Sequence, residues 1–346
     1  MNVNVSKYLN TAELKFDVEF ITPAFLGGAD GNAEIRTAPF KEGIRYWWRI
    51  LYGAKYLDLG KLKETEDFIF GSTENQSNVQ LFIKTKVKEE LFEKSGFPNG
   101  QGIEVSHQGR TMRVNILDYM AYGKYSYEKG NGNVYTVTHI KPKTKFQLNV
   151  SIKDIGHSEE VVDSIKMFLS WGGIGSKSRN GFGSMDYTDL SEPETKFSGN
   201  VVLSKNLKQF PVLSTLSKVF RSKKTFDSWE DALSEIGIIY KNARSFLEKS
   251  HQYEKRGYVA RPIEVKGERN IPSNIKNGRI PKPFYLGIRK YENQFINYII
   301  CLPVEFYENK SQSDYLKVYN QMTEYFSEKM KENTDSFVKQ FTGVAK

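Results

Sequence analysis

Cations and glycines coincide in WGGIGSKSRNGFGSM, residues 171–185, where the residue types suit a phosphate group. Five of these fifteen residues are glycine, and Lys177 and Arg179 stand among serines. Glycine lets another chain approach the backbone closely, and exposed N–H groups, hydroxyls and cations all donate to phosphate oxygens. We therefore predict a phosphate-binding loop, and its candidate contact residues are Gly173, Gly175, Ser176, Lys177, Ser178 and Arg179. A helix cap at Gly172 with a tight turn is the structural alternative, although it explains one or two glycines and not five.

This glycine-rich loop matches neither of the two common nucleotide-binding motifs. A P-loop has a glycine directly before its lysine and runs from a strand to a helix. Here Ser176 precedes Lys177, and we predict that the loop runs from a helix to a strand. The dinucleotide fingerprint needs a third glycine at the position of Ser178. The expected ligand is therefore an extended phosphate chain, and we predict no cofactor.

A second group of cations lies in FKEGIRYWWRILYG, residues 40–53, which we predict to be a helix that begins near Pro39. At about 100 degrees per residue, one arc of this helix carries Lys41, Arg45, Arg49 and Tyr52. The neighbouring arc is apolar, and we expect it to pack in the core; it contains Ile44, Trp47, Trp48 and Leu51. Cations four residues apart can each bind a successive backbone phosphate, and an ordinary solvated surface is the alternative. Trp48 lies at the seam between the arcs, where its ring could both pack and touch a base.

A long insertion, roughly residues 95–140, is rich in glycine, tyrosine, asparagine and basic residues. A loop of that length inside a compact domain is typically functional or disordered. Tyrosines interleaved with cations suit stacking on unpaired bases, and we include Arg110 and Arg113 among the candidate RNA contacts. Residues 255–282 are basic as well, and that pattern fits a solvated loop equally well.

The sequence contains no recognisable catalytic or metal-binding constellation. The histidines are scattered, at His107, His139, His157 and His251. No GxSxG, HExxH or cysteine–histidine arrangement occurs. We therefore predict that the protein is not an enzyme and that it binds no metal. If it were a nuclease, His107 and His139 in the insertion would be the candidate general acid and base.

The elements that position these residues follow from hydrophobic periodicity. LKFDVEF, NVQLFIKTKV and KFQLNVSIK alternate as half-buried strands do, and GSMDYTDL is strand-like. Helices are predicted after the first and third of these strands, and Ser158 is the predicted cap of the second helix. The resulting order is βαββαβ, the ferredoxin-like (RRM-like) arrangement of an antiparallel sheet with both helices on one face. The predicted fold class is therefore α+β, with the glycine-rich loop between the last helix and the last strand.

A change of composition at SEPETKFSGN, near residues 191–200, predicts a domain boundary. We predict an N-terminal domain, 1–192, and a less regular α+β domain, 193–346. In the second domain, a long helix is predicted to begin at Asp227 and to end near His251. PFYLGIRKY and FINYIICLP are predicted strands, and SDYLKVYNQMTEYFSEKM is a predicted helix.

Composition limits the class of partner and the compartment. The chain has 346 residues and a net charge of +9, which favours an anionic partner, most commonly nucleic acid. A merely soluble basic protein is the alternative, and charge alone does not separate the two. One cysteine excludes an internal disulfide, and no run of about eighteen apolar residues predicts a membrane span. The N-terminus lacks the pattern of a signal peptide, so we expect a cytoplasmic protein.

Taken together, these motifs resemble the RAMP superfamily of CRISPR-associated proteins. The matching features are a first strand, a glycine turn, a basic helix with R-x-W-W-R, and the loop GGIGSKSRNGFG between the last helix and the last strand. FLGGAD, residues 25–30, and PFKEGIRYWWR, residues 39–49, are similar to the first-numbered subunits of the type III-B effector, the Cmr complex. The family usually has Lys-Gly where this chain has Lys41-Glu42-Gly43. The resemblance spans residues 14 to about 190, and the C-terminal part matches in length and order alone.

The resemblance implies a multisubunit ribonucleoprotein guided by a CRISPR RNA (crRNA) in antiviral defence, and two ferredoxin-like domains in this subunit, the second one degenerate. It also implies that the subunit lies near the 3′ region of the crRNA and helps to bind the guide–target duplex. The implied partners are crRNA, target RNA and other Cmr subunits, and the family attributes target cutting to a different subunit. The implied RNA contacts are Lys41, Arg45, Arg49, Lys177, Ser178 and Arg179. Two alternatives stay open, namely a metal-independent endoribonuclease that processes guide precursors and a purely structural scaffold subunit.

Overall fold

The computed structural model describes residues 11–29, 31–85, 89–107, 110–153, 156–191, 197–248, 252–261, 263, 280–306 and 312–342. The predicted boundary at residue 192, His251, and the side chains of His107 and Arg110 lie outside this description. The predicted mixture of helices and strands in one chain is confirmed. The helices are α1 (Thr37–Tyr52), α2 (Leu59–Phe70), α3 (Ile116–Met120), α4 (Ser158–Trp171), α5 (Trp229–Phe246), α6 (Glu254–Val259), α7 (Gln312–Lys329) and α8 (Thr334–Thr342).

Fourteen strands are formed by the described residues. In the first half they are β1 (Thr11–Phe20), β2 (Val79–Lys84), β3 (Phe92–Glu93), β4 (Gly102–His107), β5 (Arg110–Asn115), β6 (Tyr125–Glu128), β7 (Gly132–Tyr135), β8 (His139–Ile140), β9 (Lys145–Lys153) and β10 (Met185–Asp189). In the second half they are β11 (Lys218–Arg221), β12 (Phe284–Tyr291), β13 (Gln294–Cys301) and β14 (Lys331–Glu332).

The first sheet, which we call sheet one, has the strand order β10-β1-β9-β2, and each neighbouring pair is antiparallel. The predicted alternation in β1 is confirmed, because every second residue from Leu14 to Phe20 is buried and the residues between are more exposed. Helices α1 and α4 cover the buried face of this sheet. The two helices approach so closely at Gly43 of α1 that a Cβ atom there would overlap the ring of Phe168 in α4.

The second sheet, which we call sheet two, has the strand order β12-β13-β11-β14 and is also antiparallel throughout. Its elements follow one another as strand, helix, strand, strand, helix, strand, as they do in sheet one when the short extra elements are set aside. In both sheets the first strand of that series lies between the third and the fourth. The second half is thus as regular in its strand order as the first.

Sheet two is covered on both faces, which joins the two halves of the chain. One face packs on α5 and α7, where the rings of Phe284 and Tyr319 stack with centroids 5.8 Å apart. The other face packs on α1 and α4, where Trp171 lies 4.9 Å from Tyr298 between ring centroids. The layers therefore alternate as sheet one, helices, sheet two, helices, and α1 is enclosed between two sheets.

Three sequence-based predictions about helices are wrong. One helix is predicted between β1 and β2, whereas the chain forms two. Apolar periodicity misses α2 because the buried face of this helix includes a charged residue, Glu66. Ser158 does not cap α4, since His157 holds the N-cap position without a side-chain bond. Helix α5 is capped by Ser228, whose Oγ accepts from the Asp231 N–H at 3.1 Å, and it ends at Phe246.

The long insertion is folded into short pairs of strands over its described residues. Strands β4 and β5 form one hairpin, β6 and β7 form a second, and β3 pairs with β8. Helix α3 between the hairpins buries Ile116 and Met120 in the core that also contains α5. No helix among the described residues is long and apolar enough to span a membrane.

Candidate nucleic-acid interface

The glycine-rich loop lies over the segment that follows β1. The Ser176 N–H donates to the Phe25 carbonyl at 2.9 Å, and the Gly183 N–H donates to the Pro23 carbonyl at 2.8 Å. A Cβ atom at Gly175, where φ is +81°, would lie 2.5 Å from the Phe25 carbonyl oxygen. Gly172 caps α4, as the structural alternative expected. The close contacts of the loop with the segment after β1, and the cap of α4, thus explain why glycine is needed here. The glycine content by itself does not indicate a ligand.

The polar groups at the tip of the loop are a stronger indication. The N–H groups of Gly175, Lys177 and Ser178 donate to no acceptor in the described part of the chain. Lys177 has φ of +65°, a left-handed conformation that costs a residue with a Cβ atom roughly 1 kcal/mol. A lysine is therefore held where glycine would be less strained. Such strain is typical of functional sites.

A cavity of about 320 Å³ separates this loop from α1 and β12. Of the predicted site residues, Gly173, Gly175, Ser178 and Arg179 line it. Helix α1 contributes Glu42, Gly43, Tyr46 and Trp47, and β12 contributes Tyr285 and Leu286. The loop and α1 therefore meet, but through a face of α1 that does not carry its cations.

Arg179 binds all three elements around this cavity. Its guanidinium donates to the Tyr46 hydroxyl and to the Lys282 carbonyl, each at 3.0 Å. Its Cζ lies 4.8 Å from the ring centre of Tyr285, whose hydroxyl is hydrogen-bonded to that of Tyr46. Cation–π contact and two hydrogen bonds make Arg179 a cross-link between the two halves of the chain. Its contact with RNA stays a prediction.

The predicted cationic arc of α1 is largely engaged by carboxylates. Arg45 pairs with Glu66 and, at 2.7 Å, with Asp67, and Arg49 pairs with Glu66 at 2.6 Å. The Glu66 side chain is only 4% exposed, so α2 covers part of the arc. Lys41 has no carboxylate partner among the residues that the structure describes. RNA contact by this arc stays a prediction, but Arg45 and Arg49 already have a structural role.

Trp48 is fully buried, with 0% of its surface exposed, and so offers no ring face to a base. Its indole N–H donates to Glu160 of α4 at 2.9 Å. Helices α2 and α4 pack over Trp48 and cover it. The spacing of residues within α1 does not predict either contact. We therefore leave Trp48 out of the proposed RNA surface.

Arg113 is exposed on β5, in the hairpin with β4. That hairpin lies against α5, where the Lys241 ammonium donates to the Glu104 carbonyl at 3.1 Å. The structure thus associates Arg113 with α5 and not with the glycine-rich loop. RNA contact by Arg113 stays a prediction for a separate surface.

The fold brings to the loop three cations outside the list of predicted contact residues, and two of them, Lys124 and Lys282, lie in the basic stretches that the sequence analysis considered. Lys282 precedes β12 and its ammonium donates to the Asn180 side chain in the loop at 2.8 Å. Arg244 of α5 and Lys124, before β6, also act electrostatically on loop-side lysines. We call Lys124, Lys177, Arg179, Arg244 and Lys282 the cation cluster. Residues so distant in sequence carry no joint signal, except that each lies in a basic or aromatic-rich stretch.

His139, one of the two candidate histidines, gains no support as a general acid or base. His139 is 2% exposed and packs edge-on against the ring of Phe25, with centroids 5.7 Å apart. Burial lowers the pKa of His139 to about 4, although Glu93 opposes the shift. A general base must reach its substrate, and His139 does not reach the surface. Among the described residues, no group of three or more His, Cys, Asp and Glu side chains is placed to bind a metal.

Comparison with known proteins identifies the family. The model of the RAMP superfamily matches residues 17–186. The CRISPR system Cmr subunit Cmr1-2 of Pyrococcus furiosus is 30% identical over 189 residues, which are 52% of this chain and 97% of that protein. The crystal structure of apo Cmr1 from Pyrococcus furiosus superposes with a TM-score of 0.55 at 18% identity, over 93% of this chain and 98% of that chain.

A chain of the type III-B Cmr-beta complex bound to cognate target RNA and AMPPnP has a similar fold. Its TM-score is 0.51 at 14% identity, and the match covers 90% of this chain and 98% of that chain. The expected resemblance is therefore confirmed in sequence over the first half and in fold over most of the chain. The chain belongs to the RAMP superfamily of CRISPR-associated proteins and is a Cmr1-like member of it.

Proposed function

We propose that this chain is a non-catalytic RNA-binding subunit of a type III-B Cmr effector complex. The observation that carries the proposal is the cation cluster beside the unpartnered N–H groups of the glycine-rich loop. Within the described residues, no ion pair neutralises any of its five cations. Phosphate is the ligand that such donors fit, because lysines, arginines and backbone N–H groups supply most contacts to nucleic-acid backbones. The proposed partners are crRNA, target RNA and the other Cmr subunits.

We also infer that the chain consists of two ferredoxin-like domains, 1–192 and 193–346. The inference is supported by the matching strand orders of sheets one and two and by the helices that cover them. The proposed RNA surface lies between these domains, since the loop belongs to the first and Lys282 and Arg244 to the second. RNA bound there would contact both.

The open face of sheet one is a less suitable RNA surface. RRM domains bind RNA on that face through aromatic residues that stack on bases. Here Asp17, Glu19 and Asp186 stand beside lysines such as Lys84 and Lys145, so the face carries charges of both signs, whereas the cation cluster carries one. Glu19 is also paired with Lys290 at 2.7 Å and with Lys145 at 3.5 Å. The charges of this face therefore favour the glycine-rich loop as the site of RNA binding.

Lys177→Gly tests the proposal with two opposite effects. Glycine relieves the left-handed strain, so the free energy of unfolding should rise by about 1 kcal/mol. The same change removes one phosphate contact. The negative slope of log K against log salt should therefore become shallower by about 0.7 for single-stranded RNA. Fluorescence anisotropy with labelled RNA across a salt series measures the slope, and urea unfolding measures the stability.

Lys143→Gly is the matched control, because Lys143 also has a left-handed φ, of +67°, but lies outside the cation cluster. It should gain similar stability and keep the wild-type salt slope. An unchanged slope in Lys177→Gly would contradict the assignment of Lys177 as an RNA contact. A chain that joins the Cmr complex but binds no RNA would support the scaffold alternative.

A further inference from the structure

Lys282 is held at the meeting point of the two halves by groups that carry no negative charge. Its ammonium donates to the Asn180 side-chain oxygen at 2.8 Å and lies 4.2 Å from the ring centre of Tyr240 in α5. The Asn180 amide is fixed in turn, because its nitrogen donates to the Met120 carbonyl at 2.8 Å. The position of this ammonium is therefore set by neutral partners in the loop and in α5.

Arg244 shares the ring of Tyr240 with Lys282. Its Cζ lies 5.9 Å from the centre of that ring. The Nε of Arg244 is buried and donates to no acceptor among the described residues. A buried donor without a partner is costly, and most such donors in folded proteins are satisfied. The Nε of Arg244 is thus a donor that a ligand at this place could satisfy.

The charged groups that act most strongly on Lys282 are cations. After burial, the main causes that lower the pKa of Lys282 are the charges of Arg244, Arg179 and Lys177. Lys124 in turn lowers the pKa of Lys177, after burial. Like charges in a partly buried place repel one another. The contact of Lys282 and Arg244 with the ring of Tyr240 offsets only a part of this repulsion. Among the described residues, no carboxylate pairs with these cations.

We propose that Lys282, Arg244, Asn180 and Lys177 form a phosphoryl-binding site between the two halves of the chain. It rests on the proposed function, because it assigns the part of the RNA surface that bridges the halves. Lysines act as point charges toward phosphate, and a guanidinium adds a directional donor such as the unpartnered Nε. The phosphoryl group is either an internal phosphodiester of RNA or a terminal phosphate monoester.

Thermal unfolding of the full chain in inorganic phosphate tests the site directly. At constant ionic strength, replacing chloride with phosphate should raise the melting temperature of the wild type, because a ligand that binds the folded state stabilises it. Lys282→Gln and Arg244→Gln should each raise the apparent Kd for phosphate by about tenfold or more, since each removes a charge-assisted bond. Lys317→Gln, on the exposed surface of α7, is the control and should keep the wild-type shift.

The absence of a phosphate-dependent shift in the wild type would overturn the proposal, whatever the variants do. Equal shifts in the wild type, Lys282→Gln and Arg244→Gln would overturn it as well. Competition by RNA oligonucleotides with and without a 5′-phosphate then identifies the source. Displacement of phosphate by both oligonucleotides supports the phosphodiester, and displacement by the phosphorylated one alone supports the monoester.

The same experiments separate this proposal from the function on which it rests. RNA binding that depends on Lys177, together with no phosphate shift, would leave the RNA-binding role standing and remove the site at Lys282. A phosphate shift that depends on Lys282, without any RNA binding by the chain or its complex, would support the site and contradict the RNA-binding role.

Discussion

Glu66→Ala should lower the free energy of unfolding by about 3 kcal/mol or more, because it breaks a buried ion-pair network. The Glu66 carboxylate is 4% exposed and accepts from both Arg45 and Arg49 of α1. Its removal leaves two partly buried guanidinium groups, of which Arg45 keeps Asp67 and the Gly71 carbonyl. Urea unfolding followed by circular dichroism measures the loss.

Lys317→Ala is the matched control for this variant, since it breaks an ion pair at the surface. Lys317 pairs with Asp314 at 3.0 Å while its side chain is 73% exposed. Pairs of that kind contribute about 0–1 kcal/mol. A loss in Glu66→Ala no larger than in Lys317→Ala would contradict the structural role of the α1–α2 network.

This network changes how variants of the cationic arc must be interpreted. From the helical wheel alone, Arg45→Ala with Arg49→Ala should weaken RNA binding and leave the fold intact. The ion pairs with Glu66 predict a loss of stability as well, so a decrease in RNA affinity would not show that these side chains touch RNA. Lys177 is the better probe, because its removal is expected to stabilise the fold.

Arg179→Ala should lower the free energy of unfolding by about 3 kcal/mol, because Arg179 joins the loop, α1 and β12. The variant loses two charge-assisted hydrogen bonds, each worth about 1.5–3 kcal/mol, and the cation–π contact with Tyr285. It also leaves a cavity between the halves of the chain. Arg179→Lys should recover little of the loss, since an ammonium cannot stack on Tyr285 and reach both acceptors at once.

Arg113→Ala is the control for Arg179→Ala, because Arg113 is an exposed arginine on a hairpin. Its effect on unfolding should stay within about 0.5 kcal/mol. Equal losses in Arg113→Ala and Arg179→Ala would show that Arg179 does not hold the halves together.

The sequence predicts the local elements of this fold well where burial is periodic. Alternation predicts β9 at its observed bounds, Lys145–Lys153, and the helical wheel places Trp47 on the buried side of α1. It fails where a second element determines what a surface contacts. The arc of α1 looks open on the wheel because the spacing within one helix carries no information about Glu66, which reaches it from α2.

The sequence predicted only a part of the candidate site, because a local pattern does not show which distant residues pack beside it. Lys177 and Arg179 stand out because they interrupt a run of glycines and serines, and the structure brings them to one place with Lys282 and Arg244. Lys282 directly precedes β12 and Arg244 lies in α5, both more than sixty positions further along the chain. Their proximity follows from the packing of sheet two against the loop, which no local pattern encodes.

The central claim is that RNA lies along the glycine-rich loop and the cation cluster. Ultraviolet crosslinking of RNA to the assembled complex, with the modified residues of this chain identified by mass spectrometry, tests it most directly. We predict crosslinks at the loop and its neighbours, in particular at Lys177, at Lys124 and at the exposed ring of Tyr122, two residues before Lys124. Crosslinks confined to the open face of sheet one, or an absence of crosslinks to this chain while other subunits are modified, would contradict it.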